Sequence, residues 1–198
     1  YLLNEERVRQ LNEAGLDRLQ ISVDGVTTNE VTIKVLDPLR TKLEMLARLA
    51  RFEVTLSAVV GSSSESEVLE VVEFARRHGF VPRVLLLHDD DGQLELSSKE
   101  LETYRRVRHR IGGRFDEAGD YRVRLMREGA APFRCRAGSR YLYVDEHGLV
   151  RWCSQQMEAF ARPLEEYSFA DLREQFHAPK GCNARCTVGC ARTASHLD

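Results

Sequence analysis

The first 134 residues of this sequence contain no cysteine, although the whole chain of 198 residues has five. The sequence also lacks any apolar run of the roughly 20 residues that a membrane-spanning helix requires. Its 29 basic residues nearly balance its 31 acidic residues, so no strong field of one sign favours nucleic acid or a membrane surface. We therefore expect a soluble, cytoplasmic protein without a nucleic-acid or membrane partner.

The cysteines are concentrated in the C-terminal third, at Cys135, Cys153, Cys182, Cys186 and Cys190. Sulfur atoms gathered in this way are typical of a soft-metal site, in which several thiolates converge on one centre. Disulfides and buried structural cysteines are the alternatives; no stretch resembles a signal peptide, and cysteines four residues apart in a tail with glycine and arginine are not typical of a core. Structural zinc sites usually contain C-x2-C pairs, which this sequence lacks. The pattern therefore favours an iron–sulfur centre over zinc.

The first half of the chain alternates between helix and strand patterns. Asn4, Asp37 and the run of serines at 62–64 predict helix N-caps, with Pro38 in the first turn of the second helix. Strands are predicted at residues 19–23, 52–60 and 81–87. Short loops between these elements predict parallel strands joined by crossover helices and covered on both faces. In such sheets, ligands bind at the carboxyl ends of the strands.

The second half has a different pattern. Ser97 predicts the start of a helix, and the charged stretch after it predicts a linker with a short helix. Residues 141–152 predict a β-hairpin around a turn containing Gly148. Cys135 precedes this hairpin and Cys153 ends it, and a further helix is predicted near residues 168–176.

Two groups of residues resemble radical S-adenosylmethionine (radical SAM) enzymes. The stretch AGLDRLQISVDG at residues 14–25 looks like the fourth helix–strand unit of their barrel, and the next two strands are similar to the fifth and sixth. The spacing Gly148-x4-Cys153 after Cys135, together with Cys186-x3-Cys190, resembles the SPASM or twitch extension of that family.

The resemblance implies an α/β fold of three parts. Residues 1–96 would form the C-terminal half of a TIM-like (β/α) barrel, and residues 97–132 a helical linker. Residues 133–198 would form a small α+β, cysteine-rich domain with a β-hairpin. This last part would bind an auxiliary 4Fe-4S cluster through four of the five cysteines, without the sequence deciding which one is spare.

The sequence departs from the family in one decisive respect, because the C-x3-C-x2-C loop that binds the SAM-cleaving cluster is absent. We therefore expect a fragment whose partner is the missing N-terminal half of the barrel, and expect it to perform no radical chemistry alone. The resemblance implies that the complete enzyme abstracts hydrogen through a 5'-deoxyadenosyl radical and receives electrons from a donor such as flavodoxin or ferredoxin. It leaves the substrate open, a peptide being one candidate. A noncatalytic iron–sulfur or zinc module, acting in electron transfer or as a scaffold, is the alternative.

The resemblance also implies four contacts to SAM. Two would come from Ser22 and Asp24 at the carboxyl end of the matching strand, and two from Ser57 and His88 on neighbouring strands. Each has a simpler interpretation. Ser22 can be a cap at the end of its strand. Asp24 can be an ordinary turn residue, since the dipeptide Asp-Gly is common in turns. A single histidine at a strand end, such as His88, is often structural or solvated.

Overall fold

The structure is a computed structural model that describes residues 3–89, 94, 97–112, 120–131 and 133–196. The chain divides into two compact units. The first comprises Tyr1–Leu87 and Leu96–Phe115, and the second comprises His88–Glu95 and Asp116–Asp198. The domain limits expected from the sequence, after residues 96 and 132, fall on residues outside the described set and stay predictions. Within the described residues, no helix has both the length and the apolar character needed to cross a bilayer.

The first unit contains a three-stranded parallel sheet with strand order β1-β2-β3. The strands are β1 (Arg18–Ser22), β2 (Glu53–Val60) and β3 (Val81–Leu86). Neighbouring strands are joined through helices, since parallel strands need a crossover connection. The expected parallel α/β arrangement is therefore confirmed for these strands.

The helices of this unit are α1 (Glu5–Glu13), α2 (Arg40–Leu49), α3 (Glu65–Arg77) and α4 (Ser98–Ile111). Three predicted caps are confirmed, because the side chains of Asn4, Ser64 and Ser97 accept backbone hydrogen bonds at the starts of α1, α3 and α4. The cap predicted at Asp37 is wrong. Residues Asp37–Leu39 form a 3-10 turn ahead of α2, and the Asp37 carboxylate instead accepts a 3.1 Å hydrogen bond from the Arg40 side chain.

The two faces of the sheet differ in chemistry. Residues 54, 56, 58 and 60 of β2 are buried and apolar, and α3 packs against β2 and β3. The connections between successive parallel strands have the same handedness, so they place their helices on the same face of the sheet. The opposite face carries Gln20, Ser22, Thr55, Ser57 and Arg83, as the strand register shows. Cover of this second face is uneven, because Ser57 is fully buried whereas Val81 is 44% exposed, and the expected cover on both faces stays a prediction.

The second unit is built from short elements. They are α5 (Tyr121–Glu128), β4 (Tyr143–Val144), β5 (Leu149–Arg151), β6 (Arg162–Pro163), α6 (Phe169–His177) and α7 (Gly189–Ser195). β4, β5 and β6 pair in that order as an antiparallel sheet, which confirms the predicted hairpin and adds a third strand. β6 was not predicted because it has two residues, one of them a proline that cannot donate to a sheet.

Asp145 organises the hairpin turn. Its carboxylate accepts hydrogen bonds from the backbone N–H groups of His147 (3.0 Å) and Leu149 (2.9 Å) and from Nε of Arg151 (2.8 Å). The side chain is only 1% exposed. The bond from the Leu149 amide, followed by those from Arg151 and His147, lowers the pKa of Asp145 below its usual value. This buried carboxylate therefore fixes the turn that leads to Cys153.

Candidate functional site

The structure places the five cysteines in the second unit, all as free thiols. Cys135, Cys153 and Cys186 are buried, Cys182 is half-buried and Cys190 is exposed. Cys135 and Cys186 lie in one apolar cluster although they are far apart in the sequence, and the indole of Trp152, next to Cys153, packs against it. The fold therefore draws together the segments that carry the first four cysteines.

Four of the thiols influence one another electrostatically. Burial raises the pKa of Cys135 and Cys182, and it raises the pKa of Cys186 to about 12. Negative charge on neighbouring sulfurs also raises these pKa values. The sulfur of Cys153 acts on Cys135, and the sulfurs of Cys135 and Cys153 both act on Cys182 and on Cys186. Buried thiols this close disfavour the thiolate form unless a cationic centre compensates, as a bound metal does.

The donor set around these cysteines is made of thiols. Across the described ranges, no three histidine, cysteine or carboxylate side chains are grouped closely enough to hold one metal ion. A four-iron cluster is larger than one ion and holds its cysteine sulfurs further apart, with cysteine as the usual ligand. The four sulfurs that influence one another, with no carboxylate among them, are therefore the candidate ligand set.

Asn183 joins two parts of this sulfur-rich region. Its Oδ1 accepts a 2.7 Å hydrogen bond from the backbone N–H of Cys135, and its Nδ2 donates a 2.6 Å bond to the carbonyl of Phe133. Asn183 lies in a 3-10 turn, Gly181–Arg185, that also contains Cys182. One side chain therefore fixes the Cys135 segment against the Cys182 turn.

Cys190 differs from the other four. It lies at the start of α7 and is exposed. Burial, followed by the neighbouring Cys190 thiol, raises the pKa of Tyr141, and negative charge on Cys153 acts in the same direction. Tyr141 therefore lies near both Cys190 and Cys153, and exposure distinguishes Cys190 from the other four cysteines.

Lys180 is a buried cation beside the cysteines. It is 6% exposed, and its Nζ donates to the carbonyls of Gln175 (2.5 Å) and Ala178 (3.1 Å). Nζ also lies 5.4 Å from the centroid of the Trp152 ring. Burial lowers the pKa of Lys180, whereas the Cys135 sulfur raises it.

Arginines near the cysteines are occupied by backbone carbonyls. Arg134 donates to the carbonyl of His177, and Arg136 donates to that of Phe176 at 2.5 Å while its guanidinium lies 3.8 Å from the Phe176 ring centroid. These bonds satisfy the last carbonyls of α6, which have no partner inside the helix. The two arginines therefore have a structural role at the end of α6.

The serines expected to contact SAM lie together in the first unit. Ser22 and Ser57 are paired in the register of β1 and β2, and Arg83 of β3 continues the same row. Ser57 is fully buried, and its hydroxyl has no hydrogen-bond partner within the described part of the chain. A buried hydroxyl without a partner is costly, so Ser57 is suited to a ligand that supplies one.

Asp24 is fixed in the loop that follows β1. Its carboxylate accepts a 2.9 Å hydrogen bond from the Thr32 hydroxyl, and its backbone carbonyl accepts bonds from the hydroxyls of Ser62 (2.9 Å) and Ser63 (2.8 Å). The loop after β2 therefore orients the loop after β1. A turn aspartate with such support keeps a carboxylate oxygen in a defined direction at the carboxyl end of the sheet.

His88 follows β3 along the chain but belongs to the second unit. Its Nδ1 lies 2.9 Å from the carbonyl oxygen of Asp89. The structure thus pairs Ser22 with Ser57 and orients Asp24 nearby, and it leaves the role expected for His88 a prediction.

Sequence reasoning missed Thr32, Asn183 and Lys180. Thr32 and Asn183 act through contacts to residues distant in the sequence, which leave no local signature. Lys180 had a signal, since it lies two residues before Cys182, but a lysine is normally exposed and its burial could not be read from its neighbours.

Comparison with known proteins gives one similarity. The chain is 33% identical over 112 residues to a GTP 3',8-cyclase from Aliarcobacter butzleri (strain RM4018). The aligned part is 52% of this chain and 34% of that protein, so the chain spans about a third of the length of its curated relative. GTP 3',8-cyclase is a radical SAM family member, and the similarity supports a relationship to radical SAM enzymes. No family model matches the sequence, and no solved structure matches it.

Proposed function

We propose that this chain is the C-terminal part of a radical SAM enzyme, combining half of a (β/α) barrel with a SPASM- or twitch-like domain that binds an auxiliary 4Fe-4S cluster. The observation that carries the proposal is that Cys135 and Cys186 share one apolar cluster, with Trp152, the neighbour of Cys153, packed against it, in a unit that follows a parallel α/β sheet. The similarity to a GTP 3',8-cyclase supports the first part of the proposal independently of the cysteines.

Within the cluster site, we assign the four ligands to the mutually interacting cysteines and leave Cys190 as the fifth, nonligating thiol. Four thiolates would complete the coordination of a cubane and leave no iron open to substrate. The cluster, when bound, supplies one-electron transfer. The contribution of the protein is to fix the sulfurs through Asn183 and to exclude water around Cys135 and Cys186.

On the sheet, the side chains of Ser22, Asp24 and Ser57 would bind polar groups of SAM. The Ser57 hydroxyl would gain the partner that it lacks, and Thr32 would hold the Asp24 carboxylate in position. In the complete enzyme, SAM and the SAM-cleaving cluster of the N-terminal half would supply the radical chemistry that abstracts hydrogen from a substrate. His88 is a further candidate contact from the segment after β3.

The complete enzyme would work in the cytoplasm, with the N-terminal half of its barrel and a flavodoxin or ferredoxin as electron donor. The relative is named for its action on GTP, so a nucleoside triphosphate joins a peptide as a substrate class to test. These classes can be compared by adding each to the full-length protein with SAM and reductant and measuring 5'-deoxyadenosine release.

The first test is anaerobic reconstitution of the chain with iron and sulfide. We expect one 4Fe-4S cluster per chain, measured as iron, acid-labile sulfide and the electron paramagnetic resonance (EPR) spectrum of the reduced protein. Cys153→Ala and Cys186→Ala should lose the cluster, whereas Cys190→Ala is the matched control and should keep it. Loss of the cluster in Cys190→Ala would refute the assignment of the four ligands.

Zinc uptake without sulfide would refute the redox role. It would instead favour a noncatalytic metal module acting as a scaffold, the second function that the sequence allows, because structural zinc also uses four cysteine sulfurs in closed sites.

A further inference from the structure

We propose that Lys180 is the buried counter-charge of the auxiliary cluster and raises the cluster's midpoint potential. This inference rests on the proposed function, since it concerns the cluster that the four cysteines would bind. Lys180 is assigned here as a positioning residue that acts on the cluster through its charge and does not ligate iron.

The first observation is that the ammonium of Lys180 is withdrawn from water. The side chain is 6% exposed, and the structure surrounds it with carbonyl oxygens and an aromatic ring. No carboxylate forms an ion pair with it in the described part of the chain. A buried ammonium is costly without an opposite charge, and two carbonyl dipoles with one ring face compensate it incompletely.

The second observation is the position of this cation relative to the cysteines. Its Nζ lies 5.4 Å from the centroid of the Trp152 ring, and Trp152 packs against the apolar cluster that contains Cys135 and Cys186. The ammonium therefore lies on the side of the sulfur-rich region where a group of net negative charge would compensate it.

The third observation is that Lys180 is held in place from several sides. Its acceptor Gln175 is 5% exposed and uses its side-chain Oε1 to accept a 2.8 Å hydrogen bond from Nε1 of Trp152. Trp152 is the residue before Cys153, and Lys180 lies two residues before Cys182. One network thus fixes the ammonium relative to the backbone at two of the proposed ligands.

A fixed positive charge beside a cluster stabilises the reduced form, which carries one more negative charge than the oxidised form. Removing the charge should therefore make the one-electron reduction less favourable. The protein interior screens such an interaction less than water does, so the effect should exceed that of an exposed cation.

The test is a redox titration of the reconstituted cluster, followed by EPR, in the wild type, Lys180→Met and Lys180→Arg. Lys180→Met keeps most of the length of the side chain and removes its charge. We expect a tenfold fall in the ratio of reduced to oxidised cluster at a fixed potential, which corresponds to a midpoint potential lower by about 59 mV for one electron. Lys180→Arg should restore most of the wild-type value.

Arg173→Gln is the matched control, because it removes one positive charge from an exposed position on α6 in the same unit. It should leave the midpoint potential close to that of the wild type. An unchanged potential in a fully loaded Lys180→Met variant would overturn the inference. So would a shift of equal size in Arg173→Gln, since any cation of the unit would then have the same effect.

Cluster content distinguishes the remaining outcomes. If Lys180→Met fails to take up the cluster while Lys180→Arg loads fully, the positive charge is required and the inference is supported. If both variants fail to load, the shape of lysine is required and the inference is wrong. If the wild type itself binds no cluster, the proposed function fails before Lys180 is tested.

Discussion

The two units of this chain hold themselves together by different means. The first has a continuous apolar interior formed by one face of β2 and the helix α3, with residues such as Val54, Leu56 and Ala58 buried. The second has strands of two or three residues and depends on side chains that bind backbone, as Asp145, Arg136 and Asn183 do. The comparison indicates that the first unit can fold on hydrophobic burial, whereas the second requires a further source of stability.

The sharpest way to break this comparison is to remove the metal. We expect chelation of iron from the reconstituted protein to unfold much of the second unit and to leave the first largely intact, because binding energy at a structural metal site is also folding energy. Hydrogen exchange read by mass spectrometry should show loss of protection across residues 133–192 with retained protection in β2. Equal loss in both units would show that they fold as one.

The converse experiment weakens the first unit alone. Leu56 is 1% exposed in the centre of β2, and we expect Leu56→Ala to lower the free energy of unfolding of this unit by about 2–5 kcal/mol through the cavity it leaves. Urea unfolding followed by far-UV circular dichroism measures the change. Iron content per chain should stay at the wild-type level, and a matching loss of iron would contradict the independence of the two units.

A smaller effect should come from the hairpin turn of the second unit. Asp145→Asn keeps the size of the side chain but removes the negative charge of the carboxylate. That carboxylate accepts hydrogen bonds from Leu149, Arg151 and His147. We expect a fall of several degrees in the melting temperature of the second unit in the reconstituted protein at neutral pH. Exposed Glu158→Gln is the matched control and should leave it unchanged.

The Asp145 effect should also depend on pH in one direction. The pKa of this carboxyl is lower in the folded protein than its usual value of 3.8, so its stabilisation is present above about pH 4. It is lost as the pH falls through the lower folded-state pKa. The wild type and Asp145→Asn should therefore converge in melting temperature at low pH, and a constant difference would refute the assigned role.

Much of the first unit could be predicted from the sequence because its signals are local. Caps such as Asn4 and Ser64 and the apolar strand around Leu56 are determined by residues a few positions apart. The error at Asp37 arose because a carboxylate before proline is equally able to bind Arg40, and sequence spacing does not decide between the two.

The site in the second unit was predictable in composition but not in geometry. The cysteines could be recognised by their number and spacing, yet the exposure of Cys190 and the burial of Cys135, Cys153 and Cys186 depend on which side chains surround each thiol. Lys180 and Asn183 gain their roles from contacts across the fold. Such contacts involve residues that are distant in the chain, and periodicity carries no information about them.

The bond between Asn183 and the amide of Cys135 has a consequence for the order in which the protein matures. The two residues are 48 positions apart, and the loop between them contains the whole hairpin and α6. Closing such a loop has an entropy cost that grows with the logarithm of its length, so this contact forms late in folding. Cys182 lies in the same turn as Asn183, so closing this loop also brings two of the proposed ligands, Cys135 and Cys182, into one region. On the proposed function, complete ligation of the cluster therefore follows this closure and cannot precede it.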